Sequence, residues 1–408
     1  MQGDCKIIQG TNKRKVLKPF RPNKEVKTIR KNVFSKMNHK KKLMAFVTVG
    51  MVAFLPVSHA SEPMKQKSES SWVNRLQLTG MFRLRGDFRN ETNQKNRHRS
   101  GFRAEVAIEP HIDSGWYLGL EFGTSSGAGG SGTQYLGDSL DPKILKLRSV
   151  YIRKELEFLK GGYLEAGKTP AHFYRPLGSQ LFWDRDLRPE GTSFGWEGDR
   201  ANSVRPWVHA GVYWVEEREF AADTHLYALQ SGLQVGQVSF TAGVYVFTQL
   251  SGFNTLHSTT IPYGNRVDQS GGTLTYQNDF HLVNAGFDFE LPSIAGVEIA
   301  PFFDSVFNFA ASSERFGFLT GVEIGKIKNP GDFNVRLVWR QIQADSILSV
   351  FGASFLGDYR SDLAGFQIDS RVRLVKNFDV RANYIDYQFP IGGTMRNQIL
   401  MIDLDYTF

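Results

Sequence analysis

The sequence predicts an all-β protein: a transmembrane antiparallel β-barrel of about 16 strands, within a range of 14–18. Three observations carry this prediction. Apolar and polar residues alternate over segments of ten or more positions, the chain ends on such a segment closed by an aromatic residue, and the body follows an export signal and holds no cysteine. Strands of soluble domains usually run about five or six residues, whereas tilted membrane strands need about 9–11. In a membrane barrel the apolar face meets lipid and the polar face lines water, and closure leaves no sheet edge unpaired in lipid.

Taken in order, residues 1–36 carry 11 Lys/Arg and no clear amphipathic period. They read as a start assigned too early, with Met37 the true start, or as an extended leader. Residues 37–60 form a three-part secretory signal. Lys40, Lys41 and Lys42 are its basic region, Leu43 to Val57 is an apolar run of 15 residues, and Ser58-His59-Ala60 leads to cleavage between Ala60 and Ser61. Residues 61–74 are a short periplasmic segment, and 75–408 are the barrel.

The first strand, LQLTGMFRLRGDF, places Leu76, Leu78, Phe82, Leu84 and Phe88 on one face and Arg83, Arg85 and Asp87 on the other. The same pattern gives strands at 76–88, 99–110, 115–123, 145–154, 162–167, 192–197, 207–216 and 225–234. A second set follows at 237–248, 281–290, 297–307, 317–326, 333–342, 364–375, 378–387 and 398–408. Residues 251–279 turn to Ser, Thr, Gly and Asn, which predicts a long extracellular loop. Pro292 and Pro330 fall in short connections suited to periplasmic turns. The last strand, NQILMIDLDYTF, sets Leu400, Ile402, Leu404, Tyr406 and Phe408 opposite Asp403, Asp405 and Thr407.

The 49 Lys+Arg and 41 Asp+Glu give a net charge of +8, which taken whole suggests an acidic partner. Residues 1–60 hold 14 of the bases and only Asp4 and Glu25, so 61–408 carry 35 bases and 39 acids, a net of −4. Nucleic-acid binding loses its support. The single cysteine, Cys5, lies in the leader, so the body has no disulfide scaffold, Cys-based zinc site or cysteine nucleophile. With a mean hydropathy of −0.31 and no apolar run of about 18 residues, helical membrane spans are excluded as well.

Arginines gather on predicted inward positions of strands that become neighbours at closure. Arg83, Arg85, Arg89, Arg99 and Arg103 come from the first two strands. Arg336, Arg340, Arg371, Arg373 and Arg381 come from the thirteenth to fifteenth. Guanidinium keeps its charge at all relevant pH, and low-dielectric walls concentrate its field. Inward acids, among them Asp87, Glu105, Glu109, Glu121, Asp369, Asp379, Asp403 and Asp405, leave two readings open. One is a transverse field that selects anions, and the other is a solvated lumen of paired charges with little selectivity. Between Gly167 and Gly191, the charges Asp184, Arg185, Asp186, Arg188 and Glu190 alternate around Phe173, Phe182 and Trp183. This stretch is either a constriction folded into the barrel or a latch on its rim or at a subunit contact.

None of the seven body histidines, His98, His111, His172, His209, His225, His257 and His281, sits in H-E-x-x-H or beside a nucleophile elbow. The reading is of no enzyme, no metal site and no cofactor. Trp72, Trp116, Trp207, Trp214 and Trp339 fit interface girdles. Sugar-stacking platforms would require Trp183, Tyr135 and Tyr174 to line the channel.

Residues 166–197, AGKTPAHFYRPLGSQLFWDRDLRPEGTSFGWE, carry Gly167-Lys168, Pro170, Trp183-Asp184-x-Asp186-Leu187 and Pro189-Glu190-Gly191. Residues 331–355, GDFNVRLVWRQIQADSILSVFGASF, carry a Gly-Asp strand, then an Arg and Ala-Asp before an apolar hairpin. In both stretches the chain resembles the bacterial "putative porin" group of outer-membrane proteins, with similar spacing over most of 75–408. The resemblance implies a water-filled pore in the outer membrane of a Gram-negative bacterium, passing small hydrophilic solutes by passive diffusion. It also implies a Tyr406/Phe408 end read by the barrel assembly machinery, contact with outer-membrane lipid and, by analogy, a homotrimer. A barrel enzyme of lipase or protease type, a substrate-specific carbohydrate or organic-acid channel, and a plugged adhesin are the competing functions.

Overall fold

A computed structural model describes residues 76–125, 131–140, 142–199, 201–356 and 359–408. The expected leader, the signal at 37–60, its Ala60–Ser61 cleavage site and the 61–74 segment lie outside the described residues.

Sixteen antiparallel strands form the barrel wall. They are β1 Leu76–Glu91, β2 Arg97–Asp113, β3 Trp116–Thr124, β4 Leu145–Glu155, β5 Gly162–Lys168, β6 Glu190–Glu197, β7 Val204–Glu216 and β8 Thr224–Val235. They continue as β9 Val238–Phe247, β10 Phe280–Phe289, β11 Val297–Asn308, β12 Phe316–Ile324, β13 Phe333–Ile342, β14 Leu363–Val375, β15 Phe378–Phe389 and β16 Met395–Thr407. Each pairs with its sequence neighbour, and β1 also pairs with β16, from Met81–Thr407 to Glu91–Asn397, which closes the barrel. All sixteen coincide with the strands expected from alternation, with ends shifted by a few residues.

Alternation resolves into outside and inside. Phe82 and Leu84 are 43% and 45% exposed, while Arg83 between them is 5% exposed. Leu118, Val212, Tyr227, Phe240, Val244, Leu337, Phe366, Ile368 and Leu404 join the same outward apolar surface. Such a band is stable only against lipid. Connections at the end holding the C-terminus are short: Ser114–Gly115 between β2 and β3, Gly236–Gln237 between β8 and β9, and Lys376–Asn377 between β14 and β15. Pro292 and Pro330 lie in connections at this same end. The long connections, 125–144, 169–189, 248–279 and 343–362, all lie at the other end.

Three of those long connections turn back into the barrel, and this corrects the simple picture of a polar inner face. Leu226 (β8), Tyr245 (β9), Leu282 (β10), Phe302 (β11), Leu319 (β12) and Ile342 (β13) point inward and are fully buried. Their partners are Phe182 and Trp183 from 169–189, Leu256 and Tyr276 from 248–279, and Ile347 and Leu356 from 343–362. Apolar loop residues require an apolar inner wall, and each such burial contributes about 1.5–3 kcal/mol. The Ser/Thr/Gly/Asn-rich 251–279 stretch is therefore not simply splayed outward. It contains a hairpin, Val267–Ser270 with Thr273–Tyr276. Its Asn265 Nδ2 donates to the carbonyls of Ala344 and Ile347 at 2.7 and 2.8 Å, and its Oδ1 accepts from the Ser349 N–H at 2.9 Å. These loops pack against the β8–β13 side of the inner wall, and a cavity remains beside β1, β2, β15 and β16.

Candidate functional site

The 169–189 loop leaves the wall where β5 and β6 are only seven and eight residues long. Gly167 and Gly191 face each other at its base. A Cβ on Gly167 would stand 2.3 Å from the Val150 carbonyl oxygen, and one on Gly191 would stand 2.1 Å from that of Val212. Glycine at both positions lets the neighbouring strands close around the loop's exit and re-entry.

Inside, the loop is held at two points. Its apolar foot is Trp183, 2% exposed, stacked on Phe173 at 5.1 Å with Tyr245 and Phe351 at its edges. Its polar grip is the Asp184-Arg185-Asp186 tripeptide. Asp184 accepts the backbone N–H groups of Asp186 and Ser354 at 2.7 and 2.6 Å, while its own N–H donates to the Phe351 carbonyl at 2.8 Å. Asp186 receives both Nη atoms of Arg103 at 2.7 and 2.5 Å, with Arg148 Nη2 3.4 Å away. With both flanking acids engaged, Arg185 projects into the open space, where 37% of its side chain is accessible.

That space is a cavity of about 370 Å³. Arg83, Arg85, Arg89, Arg99, Arg103, Arg185 and Arg381 line it, with Asp184 and Asp186 as the acids, and Tyr135, His257, Tyr263, Phe355 and Tyr359 as the rings. Most of the arginines have a carboxylate behind them. Arg83 forks onto Asp405 at 2.6 and 2.7 Å, and Arg85 onto Asp403 at 2.7 and 2.8 Å. Arg89 and Arg99 share Asp87 at 3.1 and 2.9 Å, and Arg381 donates to Asp369 at 2.7 Å. In four of these pairs, all but Arg83–Asp405, the acid is the more recessed partner. Side-chain exposures are 14% against 2% for Arg85–Asp403, 21% against 0% for Arg99–Asp87, and 23% against 12% for Arg381–Asp369.

Burial raises the Asp184 carboxyl above its ordinary value, and the neighbouring Asp186 adds to the shift against two backbone hydrogen bonds. Burial acts the same way on Asp186, but the Arg103 pair, with Arg185 and Arg148, outweighs it and holds that carboxyl well below the usual range. Arg185 is both enclosed by the barrel and wetted by the cavity. Enclosure lowers its pKa to about 9; Asp186 opposes the shift and Arg83, Arg103 and Arg381 add to it, so it remains a cation at neutral pH.

The other expected site residues are placed as follows. Glu105 accepts from Arg103 at 2.8 Å and also meets Arg148, and Glu121 receives Arg188 at 2.9 and 3.0 Å. Glu190 pairs with Lys168 at the loop's base. Arg336 lies over the Phe302 ring at 4.5 Å. Arg340 is 3% exposed, donates to Gln367 and lies 5.6 Å from the Phe355 ring. Arg371 and Arg373 both pair with Asp379 beside the short turn at Lys376–Asn377, away from the cavity. Phe408 exchanges backbone hydrogen bonds with Gly80 at 3.0 and 3.1 Å, and its ring, like that of Tyr406, faces outward. Of the three proposed sugar-stacking rings, only Tyr135 lines the cavity. Trp183 is buried in the loop's foot, and Tyr174 packs on Trp207 at 4.9 Å and donates to Asp288. The inward alternation did not single out Arg148, Ser354 or the His257–Tyr263–Tyr359 cluster, because loops from separate parts of the chain bring most of these residues together.

A closed sixteen-stranded barrel with an outward apolar band and inward-folded long loops defines an outer-membrane porin-type channel. Within it, residues 87–277 match the protein family described as "Putative porin", which bears out the resemblance read from the sequence. Among solved structures, the high-pH structure of Pseudomonas putida OprB is similar to 84% of this chain over 99% of its own, at 8% identity and a TM-score of 0.55. A mutant porin of Rh. blastica aligns with 82% of this chain and 100% of its own at 9% identity and a TM-score of 0.45. Salmonella typhi OmpF in complex with daunomycin aligns with 82% and 97% at 11% identity and a TM-score of 0.47. No curated protein matches the chain by sequence.

Proposed function

We propose that this outer-membrane porin is a non-enzymatic channel for passive diffusion of small hydrophilic solutes, and that its lumen favours anions. One observation carries the preference: seven arginines and two aspartates line the cavity, while Asp87, Asp369 and Asp403 stand behind the guanidiniums they pair with. A solute within a few ångströms of the lining meets the cations first, in a space whose low-dielectric walls concentrate their field. Arg340 adds a buried cation with no carboxylate hydrogen-bonded to it among the described residues. Planar-bilayer recording across a salt gradient tests both parts. Discrete conductance steps with a chloride-favouring reversal potential are expected; a cation-favouring potential would refute the preference, and absence of steps would refute the channel.

The reading extends to a homotrimer embedded in outer-membrane lipid, inserted by the barrel assembly machinery through the Tyr406–Phe408 end. Chemical cross-linking of the detergent-extracted protein is expected to yield a threefold mass, and a purely monomeric pattern would remove that part.

A further inference from the structure

The porin reading leaves unexplained why a cavity lined with arginines is also lined with aromatic rings. Six of the seven cavity arginines donate side-chain hydrogen bonds to carboxylates. Arg185 is the exception among the described residues: its nearest carboxylate oxygen, on Asp186, is 3.8 Å away, and it is the most accessible of the seven. Its place on the cavity is set by the backbone, because Asp184 and Asp186 on either side are tied to Ser354 and Arg103. A guanidinium with an open fork is suited to binding a carboxylate through two parallel hydrogen bonds.

The rings lie on the same cavity. His257 stands 5.8 Å from both Tyr263 and Tyr359, and the two tyrosines meet edge to face at 6.3 Å and 89°. Phe355 and Met401 complete an apolar border, and Arg99 lies 3.7 Å over the Tyr135 ring. Rings and guanidinium planes are the groups against which a flat solute stacks, and here they border one cavity. Phe355 and Met401 have no hydrogen bonds to offer sugar hydroxyls. A volume of about 370 Å³ holds one ring and its substituent, at the small end of ligand sites.

We propose that Arg185 and the His257–Tyr263–Tyr359 cluster form a binding subsite in the lumen for single-ring aromatic monocarboxylates, the carboxylate on Arg185 and the ring against the cluster. This rests on the channel reading and adds a solute class to it. The site takes up and releases the solute without chemistry, so it raises flux at low concentration and saturates at high concentration.

The test is chloride conductance of the full-length protein in planar bilayers, titrated separately with sodium benzoate, cyclohexanecarboxylate, galacturonate and acetate. Benzoate is expected to reduce chloride current saturably, with half-block at about tenfold lower concentration than acetate or galacturonate, in line with one ring contact added to a shared carboxylate contact. Arg185→Gln should raise the benzoate half-block about tenfold, and Arg185→Lys, which keeps the charge and loses the fork, by less. Tyr263→Leu with Tyr359→Leu should raise the benzoate value and leave that of acetate in place. Heat-modifiable mobility on gels verifies that each variant is a folded barrel. Equal block by benzoate and acetate, block by galacturonate as strong as by benzoate, or an Arg185→Gln value matching the parent would overturn the subsite while the channel reading stands. Absence of chloride conductance in the parent would overturn both.

Discussion

Asp186→Asn is the most informative single change, because Asp186 joins the inward loop to the wall and is also one of two acids on the cavity. Removing one member of a buried pair costs about 3–5 kcal/mol. Here cavity water can reach the freed guanidiniums of Arg103 and Arg148, so the loss in loop docking is set at about 2–3 kcal/mol. Against it stand Phe173, Phe182 and Trp183, at 6%, 6% and 2% exposure, worth roughly 5–9 kcal/mol together as an upper figure. The apolar foot wins, and the loop stays in the lumen. What changes is charge: seven arginines against two aspartates give the lining a formal +5, and the variant takes it to +6. A unit charge about 7 Å from a permeating ion in water contributes about 0.6 kcal/mol, near RT, attracting chloride and repelling potassium. The chloride-to-potassium permeability ratio would then rise about sevenfold unscreened, and about twofold to threefold with a Debye length of about 10 Å at 0.1 M salt. Reversal potentials in a tenfold gradient measure the ratio, and single-channel amplitude reports the loop. Trp183→Ala is the contrast, since truncating that ring costs about 3–5 kcal/mol, the larger share of the foot, and should loosen the loop enough to give larger, noisier openings than Asp186→Asn. An unchanged ratio in Asp186→Asn, or openings as large as those of Trp183→Ala, would refute the reasoning.

Arg85→Gln, on the cavity, should lower chloride preference about twofold to threefold by the same arithmetic, whereas Arg373→Gln, beside the short turn, should leave the reversal potential in place. Acidification towards the ordinary aspartate value of 3.8 should strengthen anion preference, because Asp184, raised by burial, takes a proton while Asp186, held low by Arg103, keeps its charge. The docked loop binds the Asp184 proton more tightly than a released loop would, so docking strengthens as pH falls through that raised pKa, and a rise in conductance over this window would contradict the assignment. Gly80→Val should impair closure of the β1–β16 seam, since a Cβ there would stand 2.4 Å from the Phe408 ring and 2.7 Å from the Glu105 carbonyl oxygen; the readout is the heat-modifiable fraction recovered from outer membranes.

The wall was legible in the sequence because lipid outside and a more polar inside impose a period of two that few other folds sustain for so long. Phe240 and Val244 of β9 face outward, and Ser239 and Thr241 on either side of Phe240 are buried. Legibility fails where both faces are apolar. Leu226-Tyr227-Ala228-Leu229 of β8 reads as an unbroken run, because Leu226 and Ala228 serve the interior plug while Tyr227 and Leu229 face outward. Alternation reports that such a segment is a strand but not that its inner face has a partner. The loop was conspicuous by composition, yet the direction in which Asp184-Arg185-Asp186 points depends on Arg103 from β2 and Ser354 from another loop. Neither contact leaves a local pattern, and the His257–Tyr263–Tyr359 cluster spans two loops in the same way.

The arrangement of charge in the lumen follows from cost. Seven guanidiniums around one small cavity repel each other, and enclosing them without counter-charge would cost more than the barrel could offset. Asp87, Asp369, Asp403 and Asp405 remove most of that cost, and their depth decides what remains for a solute. Beyond about a Debye length each pair is a small dipole and nearly cancels. At contact, the guanidiniums of Arg85, Arg99 and Arg381 are nearer to the solute than their acids, and Arg185 has no hydrogen-bonded acid to subtract among the described residues. A lumen built this way discriminates at short range, within hydrogen-bonding distance of its lining, more than by long-range attraction at its mouth. Raising ionic strength should therefore erode chloride-over-potassium selectivity, a screened effect, well before it erodes benzoate block, a contact effect. Parallel loss of the two with salt would place the selectivity in the overall field and not in the lining.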